Sequence, residues 1–311
     1  IGGGPALLQT AVNPYISILG PIESAAQRIA VMGICNKIAG MLAPIAIGTL
    51  VMQGIGDLSA QVAAADAATQ DQLLAAFAAK IHLPYLAMAA LLALLAVGVL
   101  FSPLPEIDPK TANASAGADD ATGQGGSIFR FPHLWLGALC IFAYVGAEVM
   151  AGDAIGAYGA AFGLPLDQTK FFTSFTLGAM LLGYVAGLIA IPKYVSQQDY
   201  LKWSAVLGVL LAIGAFSTTG YVSVGFVAAL GFANAMMWPA IFPLAIKGLG
   251  RHTELGSALL VMGIVGGAII PRLFAGLKQD HDFQMVFLLL MVPCYLYILF
   301  FAMRGHRVGH G

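Results

Sequence analysis

Val31-Met32-Gly33-Ile34 recurs later in the chain as Val261-Met262-Gly263-Ile264, and each copy lies inside a long apolar segment. Before each copy, a carboxamide residue stands five positions ahead of a proline, in the segments Gln9-Thr10-Ala11-Val12-Asn13-Pro14 and Asn234-Ala235-Met236-Met237-Trp238-Pro239. Two membrane halves built from one ancestral unit are typical of secondary transporters, which bind their substrate where the halves meet. The repeat therefore predicts a helical transporter with its site between two related halves.

The composition is that of a membrane protein. Of the 311 residues, 59% are hydrophobic and 9% are charged, and the mean hydropathy is +0.86, whereas about a quarter of the residues in a soluble domain are charged. A helix that crosses the bilayer needs about 20 apolar residues. Nine stretches satisfy this requirement: residues 2–19, 28–52, 82–102, 132–161, 169–192, 200–218, 221–246, 254–277 and 282–303. We therefore predict an all-α membrane protein with nine transmembrane helices.

The sequence lacks the residue patterns of nucleic-acid-binding proteins, of disulfide or metal frameworks, and of common enzymes. The formal net charge of −1 argues against a nucleic-acid surface, which needs a clustered basic patch. Cys35, Cys140 and Cys294 fall inside predicted spans and lack the spacing of a disulfide or metal framework. No phosphate-binding loop, zinc-protease motif or hydrolase nucleophile motif occurs. We expect no enzyme activity, no cofactor, no bound metal and no nucleic-acid partner.

The distribution of Lys and Arg predicts the orientation. If the C-terminus is cytoplasmic, the cytoplasmic loops carry most of the basic residues, as the positive-inside rule requires. They are Arg28, Lys110, Arg130, Lys193, Lys202, Lys247, Arg251, Arg304 and Arg307, against Lys80, Lys170 and Lys278 on the other side. Because the first three spans match the last three, residues 129–218 lack a counterpart in the first half. We therefore expect three further helices before Ile1, which makes these spans the last nine of a twelve-helix protein.

The predicted domain organisation has three parts. Residues 1–102 form the remainder of an N-terminal half, with expected helices 4 to 6, and residues 129–311 form a six-helix C-terminal half, with expected helices 7 to 12. Residues 103–128 are rich in Ala, Gly, Asp and Ser and predict a cytoplasmic linker. The polar insert from Gly54 to Ile81 predicts an extracytoplasmic segment with one short amphipathic helix, since Leu73, Leu74 and Phe77 have helical spacing.

The paired carboxamides are the first candidates for a binding site. At 1.5 Å per residue, Gln9 lies about 15 Å from the end of its predicted span at Leu19, and Asn234 lies about 18 Å into its own span. Amides at that depth need polar partners, and because each both donates and accepts, they suit a polyhydroxylated ligand. Trp238, one turn from Asn234, could lay its ring against a pyranose face. The alternative is that these amides only hydrogen-bond neighbouring helices.

Two charges inside predicted spans are the second group of candidates. Glu148 and Lys37 lie about 24 Å and about 13 Å into their spans at the same rise per residue. Isolated charges are expensive in a bilayer, so each should face a cavity or a counter-charge. Glu148 is interpreted either as the carrier of a coupling proton or as a structural hydrogen-bonding or ion-pairing group. Lys37 is interpreted as a structural charge whose partner could lie on a helix expected before Ile1.

Several of these motifs resemble the glucose/galactose transporter branch of the fucose permease family. The resemblance covers nearly the whole chain. It rests on Leu8-Gln9-Thr10-Ala11-Val12-Asn13-Pro14-Tyr15, Met32-Gly33-Ile34-Cys35-Asn36-Lys37 with Ala43-Pro44, Tyr144-Val145-Gly146-Ala147-Glu148, Asn234 to Pro239, Pro243 to Gly248, and Leu260 to Ala268.

The resemblance implies a major facilitator superfamily fold and cation-coupled sugar uptake across the bacterial inner membrane, generally by proton symport. It also implies that Gln9, Asn13, Asn36, Glu148 and Asn234 are cavity residues. In fucose permeases the position that matches Gln9 is a glutamate that takes part in proton coupling. Because Gln9 cannot titrate, coupling would fall to Glu148, to a residue before Ile1, or to another ion such as sodium.

The sequence thus favours a hexose symporter that works by alternating access and acts as a monomer in the lipid bilayer. In this hypothesis the hexose is hydrogen-bonded by the four amides Gln9, Asn13, Asn36 and Asn234. Trp238 stacks on the sugar, and Glu148 supplies a hydrogen bond or the coupling charge for a proton or sodium ion. The alternatives are an exporter of amphipathic compounds and a membrane sensor that binds a ligand without transport.

Overall fold

The computed structural model describes residues 3–51, 61–62, 64–102, 127–169 and 171–309. Within these ranges all regular structure is helical, which confirms the predicted all-α class. The helices are α1 (Gly3–Ile18), α2 (Ala25–Val51), α3 (Ala67–Leu100), α4 (Pro132–Gly152), α5 (Ile155–Ala161), α6 (Leu166–Thr169), α7 (Phe172–Ala190), α8 (Gln197–Ser217), α9 (Gly220–Asn234), α10 (Met237–Ile246), α11 (Thr253–Met262), α12 (Gly266–Leu277) and α13 (Phe283–Met303).

Seven segments among the described residues are long and apolar enough to cross a membrane. They are His82–Leu100, Pro132–Gly152, Phe172–Ala190, Gln197–Ser217, Gly220–Ile246, Thr253–Leu277 and Phe283–Arg307. The first two predicted spans correspond to α1, with 16 residues, and α2, with 27 residues, and are not among the seven. The total of nine transmembrane helices therefore stays a prediction.

The chain divides into two compact units: the smaller consists of Ile38–Glu106, and the larger consists of Ile1–Lys37 and Ile107–Gly311. The smaller unit contains α3, which runs unbroken for 34 residues from Ala67 through Pro84 to Leu100. The separate short amphipathic helix expected around Leu73 is thus wrong. The segment from Ala67 to Val97 is rich in alanine and leucine and free of glycine, so nothing ends the helix there.

The predicted linker, residues 103–128, lies outside the described residues apart from Ser127 and Ile128. The division into an N-terminal remainder, a linker and a C-terminal half accordingly stays a prediction.

Helix α4 is central to the larger unit. It packs against α9, α10, α11, α12 and α13, and its Leu134, Cys140, Ile141 and Met150 are fully buried. Helix α8 packs on α13, and α9 lies between α7 and α8. Helix α1 packs on α10 and α11. Helix α2 meets α4 where Lys37 contacts Glu148, and it meets α7 where Gly33 contacts Tyr184.

One of the two prolines at matching repeat positions lies next to a helix break. The span Gly220–Ile246 consists of α9 and α10, and the helix is interrupted at Ala235 and Met236. Pro239 lacks the N–H that would pair with the carbonyl of Ala235, which weakens the helix at this point. Pro14 lies inside α1, which stays continuous.

The repeated glycine makes a close contact in both copies of the motif. A Cβ on Gly33 would lie 2.6 Å from Cε1 of Tyr184, and one on Gly263 would lie 2.8 Å from the carbonyl oxygen of Ala138. Both glycines therefore allow a neighbouring helix to approach more closely than any other residue would. Gly33 is within α2, whereas Gly263 begins a 3₁₀ turn between α11 and α12.

Candidate functional site

A cavity of about 400 Å³ lies between the first two helices and α4, α7 and α10. Five of the six predicted substrate contacts, Gln9, Asn13, Asn36, Glu148 and Trp238, line it, as does Lys37. The remaining lining residues are Leu8, Val12, Ile29, Met32, Gly33, Tyr144, Val145, Tyr184, Pro239 and Ile264. Residues that are far apart in sequence thus form a wall of aliphatic and aromatic side chains with a few polar groups, as small-molecule sites usually have.

The two predicted charges form an ion pair in this wall. Nζ of Lys37 lies 2.8 Å from Oε1 of Glu148, and the side chains are only 18% and 19% exposed. The expectation that the partner of Lys37 could precede Ile1 is therefore wrong, since Glu148 provides the counter-charge. Pairing lowers the cost of burying both charges. The pair also joins α2 to α4 across the cavity.

Asn13 is 1% exposed, and both ends of its amide are engaged. Its Nδ2 donates to the backbone oxygen of Gln9 at 2.8 Å and to Oε1 of Gln9 at 3.2 Å. Its Oδ1 accepts from Nε1 of Trp238 at 3.3 Å. Asn13 therefore connects α1 to α10, and its amide is already used by protein partners. Asn36, in contrast, has an exposed side chain at the edge of the cavity.

Trp238 belongs to an aromatic cluster. Its ring stacks on Phe242 with a centroid distance of 5.8 Å and an interplanar angle of 25°, and it lies 6.4 Å from the tilted ring of Tyr144. These contacts and the hydrogen bond to Asn13 fix the indole in one orientation beside the cavity.

Asn234 does not line the cavity, in contrast to its predicted role. Its side chain is fully buried, and its Oδ1 accepts a hydrogen bond of 2.9 Å from the hydroxyl of Tyr295 on α13. No described residue accepts a hydrogen bond from its Nδ2. The physical reason is local packing: α9 lies against neighbouring helices at this point, so Asn234 faces protein where Gln9 faces the cavity. Asn234 thus hydrogen-bonds a neighbouring helix, which is the alternative that the sequence had left open.

Two tyrosines in the cavity wall were missed as candidates. Tyr144 lies one helical turn before Glu148, so the i to i+4 spacing on α4 could have identified it as a cavity residue. Tyr184 on α7 packs against Gly33, and its local sequence carries no comparable signal. Each tyrosine adds an aromatic surface and a hydroxyl to the wall.

Asp153 follows α4 one turn beyond Glu148. Partial burial, together with the negative charge of Glu148, raises the pKa of the Asp153 carboxyl, and the positive charge of Lys37 opposes this shift.

The described residues contain no group of three or more His, Cys, Asp or Glu side chains that could hold a metal ion. The thiols of Cys140 and Cys294 are buried in the helix packing, and that of Cys35 is exposed. The polar groups that line the cavity are amides, tyrosine hydroxyls, an indole and one ion pair.

Comparison with known proteins shows relatives of one kind. The chain is 31% identical over 310 residues to a glucose/galactose transporter of Brucella abortus, an alignment that covers 99% of the chain and 70% of that protein. It is 25% identical over 312 residues to the L-fucose-proton symporter of Escherichia coli, covering 97% of the chain and 69% of the symporter. No family model matches the chain.

The fold has a solved counterpart. A crystal structure of the major facilitator superfamily transporter FucP in the outward conformation superposes with a TM-score of 0.81 at 22% identity, covering 97% of the chain and 73% of FucP. The relatives are transporters, which confirms the expectation that the chain is not an enzyme. The chain is a multi-pass membrane protein that has the fold of the major facilitator superfamily transporter FucP, and it belongs to the family of bacterial glucose/galactose transporters.

Proposed function

We propose that the protein takes up a hexose of the glucose or galactose type by cation symport, with a proton as the coupling ion. The relatives named for glucose/galactose and for L-fucose with protons support the substrate class and the ion. In this proposal the protein lies in the bacterial inner membrane as a monomer, with its C-terminus in the cytoplasm, as the distribution of Lys and Arg indicates.

The observation that carries the proposal is the Lys37–Glu148 ion pair inside a cavity that also contains free amide and aromatic groups. An exporter of amphipathic compounds would be expected to have a wall that is apolar and aromatic throughout. An intramembrane carboxylate beside a polar cavity is instead the arrangement expected of a coupled transporter.

In this proposal each cavity residue has a separate role. The amides of Gln9 and Asn36 hydrogen-bond hydroxyl groups of the hexose, and the Trp238 ring covers an apolar face of the sugar. Glu148 takes up the coupling proton. Because protonation removes the negative charge that holds Lys37, the tie between α2 and α4 weakens, and the two halves can rock around the bound sugar.

The test is counterflow of radiolabelled glucose and galactose in proteoliposomes that contain the full-length protein. We expect exchange of at least one hexose, and we expect Gln9→Ala to slow it by roughly tenfold, since a hydrogen bond to the substrate is lost. Gln279→Ala is the matched control, because Gln279 is exposed outside the cavity and its amide donates only to the backbone oxygen of Ala275, at the end of α12 just before it.

A slow Gln279→Ala variant would show that Gln9→Ala acts through folding rather than through the site. If the wild type and the control variant are both folded and neither exchanges a hexose, the proposed function is contradicted. Export of amphipathic dyes under the same conditions would then favour the exporter, and hexose binding without exchange would favour the sensor.

A further inference from the structure

The orientation of the Asn13 amide is fixed by two partners of opposite kind. Oδ1 faces the indole N–H of Trp238, and Nδ2 faces the backbone carbonyl of Gln9. An indole N–H can only donate, and a backbone carbonyl can only accept. Exchange of the oxygen and nitrogen of the Asn13 amide would break both hydrogen bonds. The chemistry of the two neighbours therefore determines which way this amide points.

The fixed amide of Asn13 in turn orients the side chain of Gln9. Nδ2 of Asn13 also donates to Oε1 of Gln9 at 3.2 Å, which holds the oxygen end of that side chain. No described residue accepts a hydrogen bond from Nε2 of Gln9, and Gln9 lines the cavity. The free polar group that Gln9 offers to a ligand is thus an NH₂ donor rather than a carbonyl acceptor.

We propose that Asn13 is a positioning residue that makes Gln9 a hydrogen-bond donor to one hydroxyl oxygen of the hexose. The proposal rests on the proposed function, because it assigns a role within the hexose site. Asn13 is 1% exposed, so it acts through Gln9 and not on the sugar. Trp238 on α10 also contributes, since its N–H donates to Oδ1 of Asn13 and keeps the Asn13 amide from turning.

Deoxy and fluoro sugars distinguish a donor from an acceptor at Gln9. Replacing a hydroxyl by fluorine leaves an acceptor but no donor, whereas replacing it by hydrogen leaves neither. At the hydroxyl that Gln9 contacts, the fluoro sugar should compete with hexose uptake roughly three- to tenfold better than the deoxy sugar, the usual effect of one hydrogen bond. Inhibition constants for a set of monodeoxy and monofluoro hexoses in proteoliposomes identify this position.

The variants separate the roles of the three residues. Gln9→Ala should abolish the preference for the fluoro sugar at that position. Asn13→Ala frees the Gln9 amide to turn, so the preference should fall towards one, and the double variant should behave like Gln9→Ala alone. Trp238→Phe keeps an aromatic ring but removes the N–H, and it should lower the preference in the same direction. It also keeps the test decisive if Asn13→Ala does not fold.

Ser17→Ala is the matched control. The Ser17 hydroxyl is buried on α1 and donates to the backbone oxygen of Asn13, so its removal disturbs the same helix without touching the amide. The preference should stay at the wild-type value. Hexose uptake with an unchanged preference in Asn13→Ala and Trp238→Phe would overturn the positioning role alone. No competition by any hexose in the wild type would overturn the proposed function, and the positioning role with it.

Discussion

Lys37 and Glu148 lie 111 positions apart in the chain, yet Nζ of the lysine is 2.8 Å from Oε1 of the glutamate. From their depth in apolar segments, each charge was expected to face a cavity or a counter-charge, and each is the counter-charge of the other. The pair is more than four-fifths buried. It links α2 and α4 beside the cavity, so any change in the charge of Glu148 acts directly on the contact between these helices.

Glu148→Gln should separate binding from coupling. The amide retains hydrogen-bonding groups but cannot carry a proton, so we expect hexose counterflow to continue while accumulation above equilibrium is lost. Uptake is measured in proteoliposomes with and without an imposed proton gradient. Asp153→Asn removes a nearby carboxylate outside the cavity and should retain accumulation. Accumulation by Glu148→Gln at the wild-type level would assign the coupling proton to another residue.

The Lys37–Glu148 ion pair should also contribute to the thermal stability of the protein. Lys37→Met leaves Glu148 without its counter-charge, and Glu148→Gln leaves Lys37 without its own, so each single variant should unfold at a lower temperature than the wild type. The double variant removes both charges and should recover part of the loss, with a coupling free energy of about 0.5–3 kcal/mol. Thermal unfolding in detergent measures all four proteins. Strictly additive losses would show that the two charges do not interact.

Tyr295→Phe tests the placement of Asn234 in the helix packing. Loss of the hydroxyl leaves the buried Oδ1 of Asn234 without its donor, which should lower the free energy of unfolding by about 1–3 kcal/mol. The hexose concentration for half-maximal counterflow should not change, because neither residue lines the cavity. A large rise in that concentration at unchanged stability would return Asn234 to the substrate site.

The glycines of α12 predict opposite effects of one substitution. A Cβ on Gly266 would overlap the backbone carbonyl of Phe142, whereas one on Gly276 meets nothing within 4 Å. Gly266→Ala should therefore destabilise the protein by about 1–3 kcal/mol, and Gly276→Ala should be neutral or slightly stabilising because alanine favours the helix. Thermal unfolding of the two variants compares them directly. Equal effects would contradict the close packing of α12 on α4.

The sequence predicted those properties of the site that depend on the position of a single residue and not on how the helices pack. The depth of Gln9, Lys37 and Glu148 in apolar segments follows from counting residues, and a polar group at that depth needs a cavity or a partner. The neighbour of a given side chain depends instead on how helices pack. The repeat predicted equal roles for Gln9 and Asn234, yet α9 packs Asn234 against Tyr295. For the same reason Tyr184, which approaches Gly33 from another helix, was not predicted.

For the fold, too, some properties could be predicted from the sequence and others could not. Hydropathy predicted an all-α membrane protein, because apolar composition and helix length suffice for that conclusion. Local continuity was harder to predict. The polar insert from Gly54 to Ile81 suggested a separate short helix, but α3 begins at Ala67 and continues past Ile81, since alanine and glutamine favour the helix and no glycine interrupts it there.

The most direct test of the central claim is uptake of radiolabelled glucose and galactose by the full-length protein in proteoliposomes, under an imposed proton gradient and then under a sodium gradient. We expect accumulation of at least one hexose above equilibrium with the proton gradient, and loss of that accumulation in Glu148→Gln. Accumulation with sodium alone would contradict proton coupling. Equilibration without accumulation under either gradient, in folded protein, would contradict symport itself.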